Sequence, residues 1–137
     1  MNAEAKHNNL YRERLVAHRG FQKKYPENTL LAYQQAIAAG ALSIETDVLL
    51  SADKLPVLYH DPTLKRVSGR RGRVKDLTLD ELIRIPAYEP RRLGQQFQNQ
   101  CITPLRDLVE LLKVHPQVTA YIEVKKEALS IVSASEA

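Results

Sequence analysis

The fold is decided by one stretch of the chain, 43-SIETDVLLSADKLPVLYH-60. Its first eight residues have the pattern of a β-strand, and a second apolar run, Leu55–His60, follows after only four turn-like residues. A parallel return between strands needs about a dozen residues, so the two runs must pair antiparallel. We therefore predict a β-hairpin over Val48–His60 that returns His60 to a position roughly opposite Asp47.

The segment before this stretch predicts an α/β fold. The apolar run 15-LVAHRG-20 indicates a buried strand, and 26-PENT-29 supplies the residues that start a helix over 30–39. Gly40 is placed to end that helix. Strand, helix and strand in this order form a βαβ unit, so the runs 15–20 and 43–50 should lie parallel in one sheet.

Further helices and a third strand follow the hairpin. Thr78 and Glu81 form a capping box for a short helix. Thr103 and Pro104 are the predicted cap and first turn of a longer helix, whose apolar face holds Leu105, Leu108, Val109 and Leu112. A third core strand is predicted over Thr119–Lys125, and a last helix begins at Lys126.

The length and composition of the chain limit the classes of protein to which it can belong. The 137 residues carry a net charge of +4 and one cysteine, which suits a single domain and excludes an internal disulfide framework. No apolar run approaches the ~18 residues of a membrane span, and the polar start MNAEAKHNNLYRER lacks the apolar segment of a signal peptide. We expect a cytoplasmic protein with a flexible lead-in at 1–14 and one domain at 15–137.

Ionisable side chains gather at the carboxyl ends of the predicted parallel strands: His18 and Arg19 on the first, Glu45 and Asp47 on the second, and Glu123 and Lys125 on the third. Successive residues of a strand point to opposite faces, so each of the two later pairs shares one face. The carboxyl edge of a parallel α/β sheet is where binding and catalytic sites are built. The pattern therefore predicts one shared site.

Three carboxylates cannot stay ionised together in a site of low dielectric constant without a counter-charge. A divalent cation supplies that charge, and all-oxygen ligands without cysteine favour Mg²⁺ or Ca²⁺ over zinc. His18 and His60 could instead be zinc ligands, but we interpret them as proton carriers, because imidazole titrates near neutral pH. Two alternatives stay open: Glu45 and Asp47 as a solvated strand face, and Glu123 paired only with Lys125.

Two polar residues near these positions have local explanations. Asp61 is expected to accept backbone N–H groups in the turn before Pro62. Asn28 fits the start of a helix as a capping residue and is expected to brace the loop after His18.

Six short motifs occur in a fixed order: His18-Arg19-Gly20, Pro26-Glu27-Asn28-Thr29, Glu45-x-Asp47, His60-Asp61-Pro62-x-Leu64-x-Arg66, Thr103-Pro104-Leu105 and Glu123-x-Lys125. Over about residues 15–126 this series resembles the N-terminal half of a glycerophosphodiester phosphodiesterase, a TIM-barrel family. The resemblance implies an α/β fold that forms the N-terminal part of a TIM (β/α)₈ barrel, with a β-hairpin after the second strand and the barrel incomplete.

The resemblance also implies an activity, the metal-dependent hydrolysis of small glycerophosphodiesters to sn-glycerol 3-phosphate and an alcohol. The implied site residues are His18 and His60 as the acid/base pair, Glu45, Asp47 and Glu123 as ligands of Mg²⁺ or Ca²⁺, and Arg19 and Lys125 as contacts of the substrate phosphate. Whether the nucleophile is water or the substrate's own hydroxyl stays open, as does the division of roles between the histidines.

Two features depart from the family pattern. The turn before His60 usually carries Asp-Gly, whereas this chain has Asp53-Lys54, so we expect a different turn type or a longer loop. The chain is also about half of the ~250 residues of a closed barrel, so we expect weak or no activity from it alone, and association with another chain as one way to complete the barrel.

Two other functional classes remain as alternatives. One is a catalytically silent remnant that serves as a binding or assembly partner. The other is a polyanion-binding module built on the six positive charges of 65–75, among them Arg70, Arg71 and Arg73. A nucleic-acid module would have aromatic residues between these charges, so we favour a solvated loop, with attraction of anionic substrates second.

Overall fold

The computed structural model describes residues 16–126. The strands are β1 (Ala17–His18), β2 (Ser43–Leu50), β3 (Pro56–Leu58), β4 (Thr103–Pro104) and β5 (Thr119–Val124). The helices are α1 (Leu30–Ala38), α2 (Lys65–Ser68), α3 (Leu79–Leu82), α4 (Pro90–Leu93) and α5 (Leu105–Lys113), with a 3₁₀ turn at Val74–Asp76. None of these helices has the length and apolar character to cross a membrane. The predicted lead-in and the final helix beyond Lys126 lie outside the described residues.

The strand β2 is the centre of one mixed sheet. Along one edge it pairs parallel with β5, from Ser43 opposite Thr119 to Val48 opposite Val124. The other edge is shared by β1, which pairs parallel with it, and by β3, which pairs antiparallel further along. The strand β4 extends the sheet beyond β3. The predicted parallel βαβ unit and the β-hairpin are both confirmed.

The hairpin register differs by one residue from the predicted position of His60. Tyr59 lies directly opposite Asp47 and donates its N–H to the Asp47 carbonyl at 3.1 Å, so His60 follows one position later. In the turn, the Lys54 N–H donates to the Ser51 carbonyl at 2.9 Å, and Lys54 has a φ of 62°. Lys54 therefore adopts the left-handed conformation that glycine takes without steric cost.

Replacing Lys54 by glycine is expected to stabilise the protein by about 0.5–1 kcal/mol, because a side chain in the left-handed region strains the backbone. Lys54→Ala is the matched control, since alanine removes the same exposed charge but keeps a Cβ atom at positive φ. Urea unfolding of the three proteins measures the difference. Equal stabilities of the glycine and alanine variants would show that Lys54 is not strained.

Helix α1 begins at Leu30, directly after the predicted helix-start motif 26–29, and Thr29 is the residue that caps it. Thr29 Oγ1 accepts the N–H of Ala32 at 3.2 Å. A second threonine, Thr103, accepts the N–H of Leu30 at 2.9 Å and so satisfies another amide at the start of α1. The prediction that Thr103 caps α5 is wrong, because Thr103 belongs to β4 and Pro104 is the residue that precedes α5.

Apolar clusters cover both faces of the sheet. One lies between the sheet and helices α1 and α5 and contains Tyr33, Ala36, Ile44, Val48, Leu58 and Leu108. The other lies under the segment 61–102 and includes Leu49, Val57, Tyr59, Leu64, Val67, Leu82 and Ile102. The segment that the sequence shows as rich in loops is therefore packed against the sheet by its own core.

Four predicted core positions are more exposed than expected. Val109 on α5 is 40% exposed, and Leu111 packs against the sheet in its place. In β5, Ile122 and Val124 are 46% and 47% exposed, and Val16 before β1 is 45% exposed. About half of each of these two β5 side chains is exposed, so the prediction of a buried third strand is wrong. The predicted run 15–20 forms a strand over only two residues, at the edge of the sheet.

Candidate active site

Three carboxylates meet where the middle of β2 lies beside the carboxyl end of β5. Glu45 and Asp47 share a face of β2, and the register of the parallel pair puts Glu123 beside Asp47. One carboxylate oxygen from each of the three lies within 4.8 Å of the other two. Asp47 is fully buried, Glu45 is half-buried and Glu123 is exposed. The structure thus brings together the three residues predicted as metal ligands, and burial excludes a solvated strand face for the first two.

Asp47 is held by cations and by one amide. Arg19 Nε lies 2.9 Å from Asp47 Oδ2, and Asn28 Nδ2 donates to the same oxygen at 3.1 Å. Lys125 Nζ lies 3.9 Å from Asp47 Oδ1. Burial alone raises the pKa of Asp47, but the Asn28 hydrogen bond and the nearby cations, Arg19 above all, outweigh it and hold this pKa below its ordinary value. Asp47 is therefore ionised at neutral pH.

Glu45 lies in the opposite environment. Burial, followed by the charge of Asp47, raises the pKa of Glu45 to about 7. Both carboxylate oxygens of Glu45 and Oδ1 of Asp47 are buried without a hydrogen-bond partner among the described residues. Buried acceptors without partners cost free energy. These oxygens, together with the three converging carboxylates, fit a hard divalent cation, which takes oxygen ligands.

His18 lies at the end of β1, next to Glu45 in the sheet. Its Nε2 is 3.4 Å from Glu45 Oε2, and the Gln22 side-chain amide lies 3.1 Å from its Nδ1. An amide nitrogen can only donate, so in this arrangement His18 Nδ1 accepts and Nε2 carries the proton. The His18 ring is half exposed and turns its protonated nitrogen toward the carboxylates.

His60 has the opposite arrangement of its ring nitrogens. Its Nδ1 is 2.7 Å from Asp61 Oδ1. Burial raises the pKa of Asp61, but the hydrogen bonds from Arg66 and His60 outweigh it and hold this pKa below its ordinary value. Asp61 is therefore an acceptor, His60 Nδ1 donates to it, and in the neutral ring Nε2 is left unprotonated.

The prediction for Asp61 is therefore wrong. The Asp61 carboxylate accepts from the His60 ring and from Arg66, whose Nε and Nη2 lie 2.9 Å and 3.0 Å from its two oxygens. Within the described part of the chain, the hydrogen bonds of the Asp61 carboxylate all come from side chains. The side chain bridges His60 and Arg66 instead of closing the turn before Pro62.

Asn28 is the residue whose importance the sequence reasoning understated. Besides binding Asp47, its side-chain carbonyl accepts the hydroxyl groups of Tyr33 at 2.8 Å and Thr46 at 3.2 Å. Its backbone N–H donates to the Arg19 carbonyl at 3.0 Å, which confirms the predicted bracing of the loop after His18. The helix-capping explanation is wrong, since the cap is the next residue along the chain.

A buried carboxylate, Glu27, ties the segment 61–94 to the site, and sequence reasoning missed it. Glu27 is 4% exposed and accepts from Arg66 Nη1 at 2.7 Å and from Nη2 at 3.0 Å. Its backbone N–H donates to Glu89 Oε2 at 2.8 Å. The only signal for these contacts is that Glu27 and Arg66 both belong to the ordered motifs.

Arg19 and Lys125, predicted to contact the substrate phosphate, both lie against the carboxylates. Arg19 contacts Asp47 and lies 3.4 Å from Glu27. Lys125 is 3.4 Å from Glu123, so the ion pair that the alternative interpretation requires is present. Both cations are mostly buried, with side chains 18% and 17% exposed.

A family model and the sequences of known relatives both assign this chain to the same family. Residues 18–136 match the sequence model of the Glycerophosphoryl diester phosphodiesterase family. The chain is 38% identical over 113 residues to Glycerophosphodiester phosphodiesterase 1 of Bos taurus, covering 82% of this chain and 34% of that protein. It is 45% identical over 112 residues to Glycerophosphodiester phosphodiesterase of Bacillus altitudinis, covering 82% of this chain and 45% of that protein. The chain therefore spans less than half the length of these relatives.

Solved structures give the same result. A glycerophosphodiester phosphodiesterase from Agrobacterium tumefaciens superposes with a TM-score of 0.73 at 32% identity, covering 87% of this chain and 50% of that one. An Oleispira antarctica phosphodiesterase, solved in complex with the product sn-glycerol-3-phosphate, gives 0.73 at 33% identity, covering 80% and 43%. These neighbours are TIM-barrel proteins. The predicted fold class, part of a TIM barrel, is confirmed, and this chain covers about half of each of these structures.

Proposed function

This chain belongs to the glycerophosphoryl diester phosphodiesterase family, and from that membership we propose that it provides the metal and proton-transfer half of a phosphodiesterase site. The proposed reaction is the metal-dependent hydrolysis of glycerophosphodiesters to sn-glycerol 3-phosphate and an alcohol. The observation that supports it best is the convergence of Glu45, Asp47 and Glu123 within 4.8 Å, with buried oxygens that lack hydrogen-bond partners among residues 16–126.

The proposed metal ligands are these three carboxylates. Their oxygen donors suit Mg²⁺ or Ca²⁺, and the charge of a dication would relieve the repulsion that raises the pKa of Glu45. When bound, such an ion would supply positive charge to the oxygens of the transferred phosphoryl group. The choice between the two ions depends on cavity size and ligand number.

Arg19 and Lys125 are proposed to bind the substrate phosphate. Each is mostly buried at the edge of the carboxylate group, so a phosphate that binds there displaces little water from either cation. The Arg19 guanidinium has five N–H donors, and the ion pair with Asp47 through Nε leaves others to contact a phosphate oxygen.

His60 is proposed as the general acid and His18 as the general base. Asp61 accepts from His60 Nδ1 and so stabilises the doubly protonated ring, which can give its Nε2 proton to the departing alkoxide. When the Gln22 amide turns its oxygen toward His18 Nδ1, that nitrogen carries the proton of the neutral ring, and Nε2 is free to take the proton of the nucleophile. The carboxylate partner of His60 and the uncharged amide partner of His18 support this division of roles.

The test compares the 137-residue chain with the same chain joined to the C-terminal half of a family member. Release of sn-glycerol 3-phosphate from glycerophosphocholine is measured with Mg²⁺, with Ca²⁺ and with a chelator. We expect little or no product from the chain alone, because the strands that complete the pocket are not among residues 16–126, and metal-dependent turnover from the completed barrel.

Two results would contradict the proposed reaction, and a third would contradict the expectation for the chain alone. A completed barrel that folds, as shown by circular dichroism, yet hydrolyses nothing with either ion would favour the silent remnant. Turnover that persists unchanged in chelator would remove the metal from the reaction. Turnover by the chain alone at the rate of the completed barrel would show that the expected dependence on further strands is wrong.

A further inference from the structure

A wide, strongly basic pocket lies next to the candidate active site. Its volume is about 980 Å³, and the cations on its wall are Lys65, Arg66, Arg70, Arg71, Arg73 and Arg91. Asp61 also lies on this wall, and the same side chain contacts His60. The pocket therefore borders the side of the site where His60 lies.

Most of the positive charge in this pocket is not neutralised. The charge of Arg66 is matched by Glu27 and Asp61. The side chains of the other five cations have no ion pair or hydrogen bond within residues 16–126, and the acidic side chains on the wall are Asp61 and Asp76. A concave wall with this excess of positive charge raises the local electrostatic potential and attracts anions.

Backbone hydrogen bonds hold the segment that carries most of these cations in one conformation. The Leu64 N–H donates to the Gly72 carbonyl and the Val74 N–H to the Pro62 carbonyl, each at 3.0 Å. Gly69 has a φ of 62°, and a Cβ atom there would lie 3.0 Å from the Tyr88 hydroxyl. The loop is thus packed closely against the neighbouring segment, so its arginines are held where an anion can meet several at once.

The lining of the pocket favours a small anion. Among the described residues that line the wall, none is aromatic, and proline is the only apolar one apart from glycine. Nucleic-acid grooves use aromatic residues to stack bases, and membrane-surface sites add large apolar side chains that enter the lipid. Arginine forks suit phosphate groups, which they bind through paired charge-assisted hydrogen bonds.

We propose that this pocket binds the leaving-alcohol part of the substrate and selects glycerophosphodiesters whose alcohol carries its own phosphomonoester. The inference rests on the proposed function, and it specifies the substrate class of the same site. In the net hydrolysis, water adds across the P–O bond to the alcohol, and the alcohol leaves with its phosphomonoester intact. The arginines contact only that second phosphate, so they act on selectivity and not on bond cleavage.

The test measures binding to the 137-residue chain by calorimetry, with glycerophosphoinositol 4-phosphate and glycerophosphoinositol as the two probes. We expect the phosphorylated probe to bind about tenfold more tightly, since it adds charge-assisted hydrogen bonds to arginine. Arg70→Gln combined with Arg71→Gln should abolish that preference. Arg84→Gln combined with Arg106→Gln removes two exposed arginines outside the pocket and should leave the preference unchanged.

Equal affinities for the two probes, or a preference that survives the pocket variant, would overturn the proposal. So would tighter binding of a thymidine 20-mer or of phosphatidylglycerol vesicles that is lost in the same variant, since the pocket would then serve a nucleic acid or a lipid surface.

Inositol 4-phosphate separates this proposal from the reaction itself. If it binds and the pocket variant loses it while the completed barrel hydrolyses nothing, the proposed reaction fails and the anion pocket stands. If the completed barrel hydrolyses glycerophosphocholine but shows no preference for the phosphorylated diester, the pocket proposal fails and the reaction stands.

Discussion

Asp47→Asn is expected to lower the affinity of the chain for Mg²⁺ or Ca²⁺ by about 100-fold or more, as judged from the effects of altering metal-site residues. Asp47 is fully buried at the centre of the three carboxylates, and one of its oxygens has no hydrogen-bond partner in the described part of the chain. The amide is nearly the same size but carries no charge. Calorimetric titration with each ion measures the loss.

The Asp47 carboxylate also pairs with Arg19, so Asp47→Asn could lose metal binding simply by unfolding the protein. A second variant separates these two effects. Glu123 is exposed, and its one ion-pair partner within residues 16–126 is Lys125 at 3.4 Å. Glu123→Gln should therefore weaken metal binding without a measurable loss of stability. Glu110→Gln is the matched control, since Glu110 is an exposed glutamate paired with Lys113 at 2.8 Å on helix α5.

Metal affinities that are the same for Glu123→Gln and the Glu110→Gln control would remove Glu123 from the ligand group. Glu123 would then be only the ion-pair partner of Lys125, which is the alternative that the sequence left open. An Asp47→Asn variant that folds and still binds the ion as tightly as the parent chain would show that the ion does not bind at the proposed carboxylate site.

Arg66→Met is expected to lower the free energy of unfolding by about 2–3 kcal/mol, at or below the lower end of the ~3–5 kcal/mol range for breaking a buried ion pair, because Arg66 itself is partly exposed. Methionine keeps the length of the side chain but leaves the buried Glu27 carboxylate without its two closest donors. Arg19 Nη1, at 3.4 Å, is then its nearest described cation. Hydrogen bonds to Glu27 and Asp61 raise the pKa of Arg66 further, so the cation is present at every pH of the experiment.

Urea unfolding measures this loss, with Arg70→Met as the control because Arg70 has the same charge and no side-chain partner among residues 16–126. Adding Glu27→Gln to Arg66→Met should restore part of the stability, since the double variant no longer buries an unpaired charge. A stability change as small as that of Arg70→Met would show that the ion pair between Arg66 and Glu27 does not stabilise the fold.

The sheet and its site edge could be predicted because they depend on short-range patterns. The alternation of Ser43–Leu50 fixed which face carries Glu45 and Asp47, and the short turn forced an antiparallel return. The parallel pairing of Thr119–Val124 with that strand then brought Glu123 beside Asp47. Alternation and chain length determine each of these steps, and both can be read from the sequence.

The burial of β5 could not be predicted in the same way. Ile122 and Val124 alternate as core residues do, but their exposure depends on which other elements cover the strand. The contacts of Asn28, Thr103 and Glu27 were missed for a related reason. Each joins residues from 19 to 73 positions apart, and a short polar side chain at a helix start looks the same whether it caps its own helix or binds elsewhere.

The hairpin has a consequence for how the gene can change. Because β2 and β3 pair in one register, adding or deleting a single codon in 51–55 would exchange the faces of the returning strand. Val57 and Tyr59 would then leave the core, and the imidazole that follows them would lose its position. Base changes that swap one amino acid for another are tolerated in this turn at small cost, as Lys54 shows, whereas changes in its length are not.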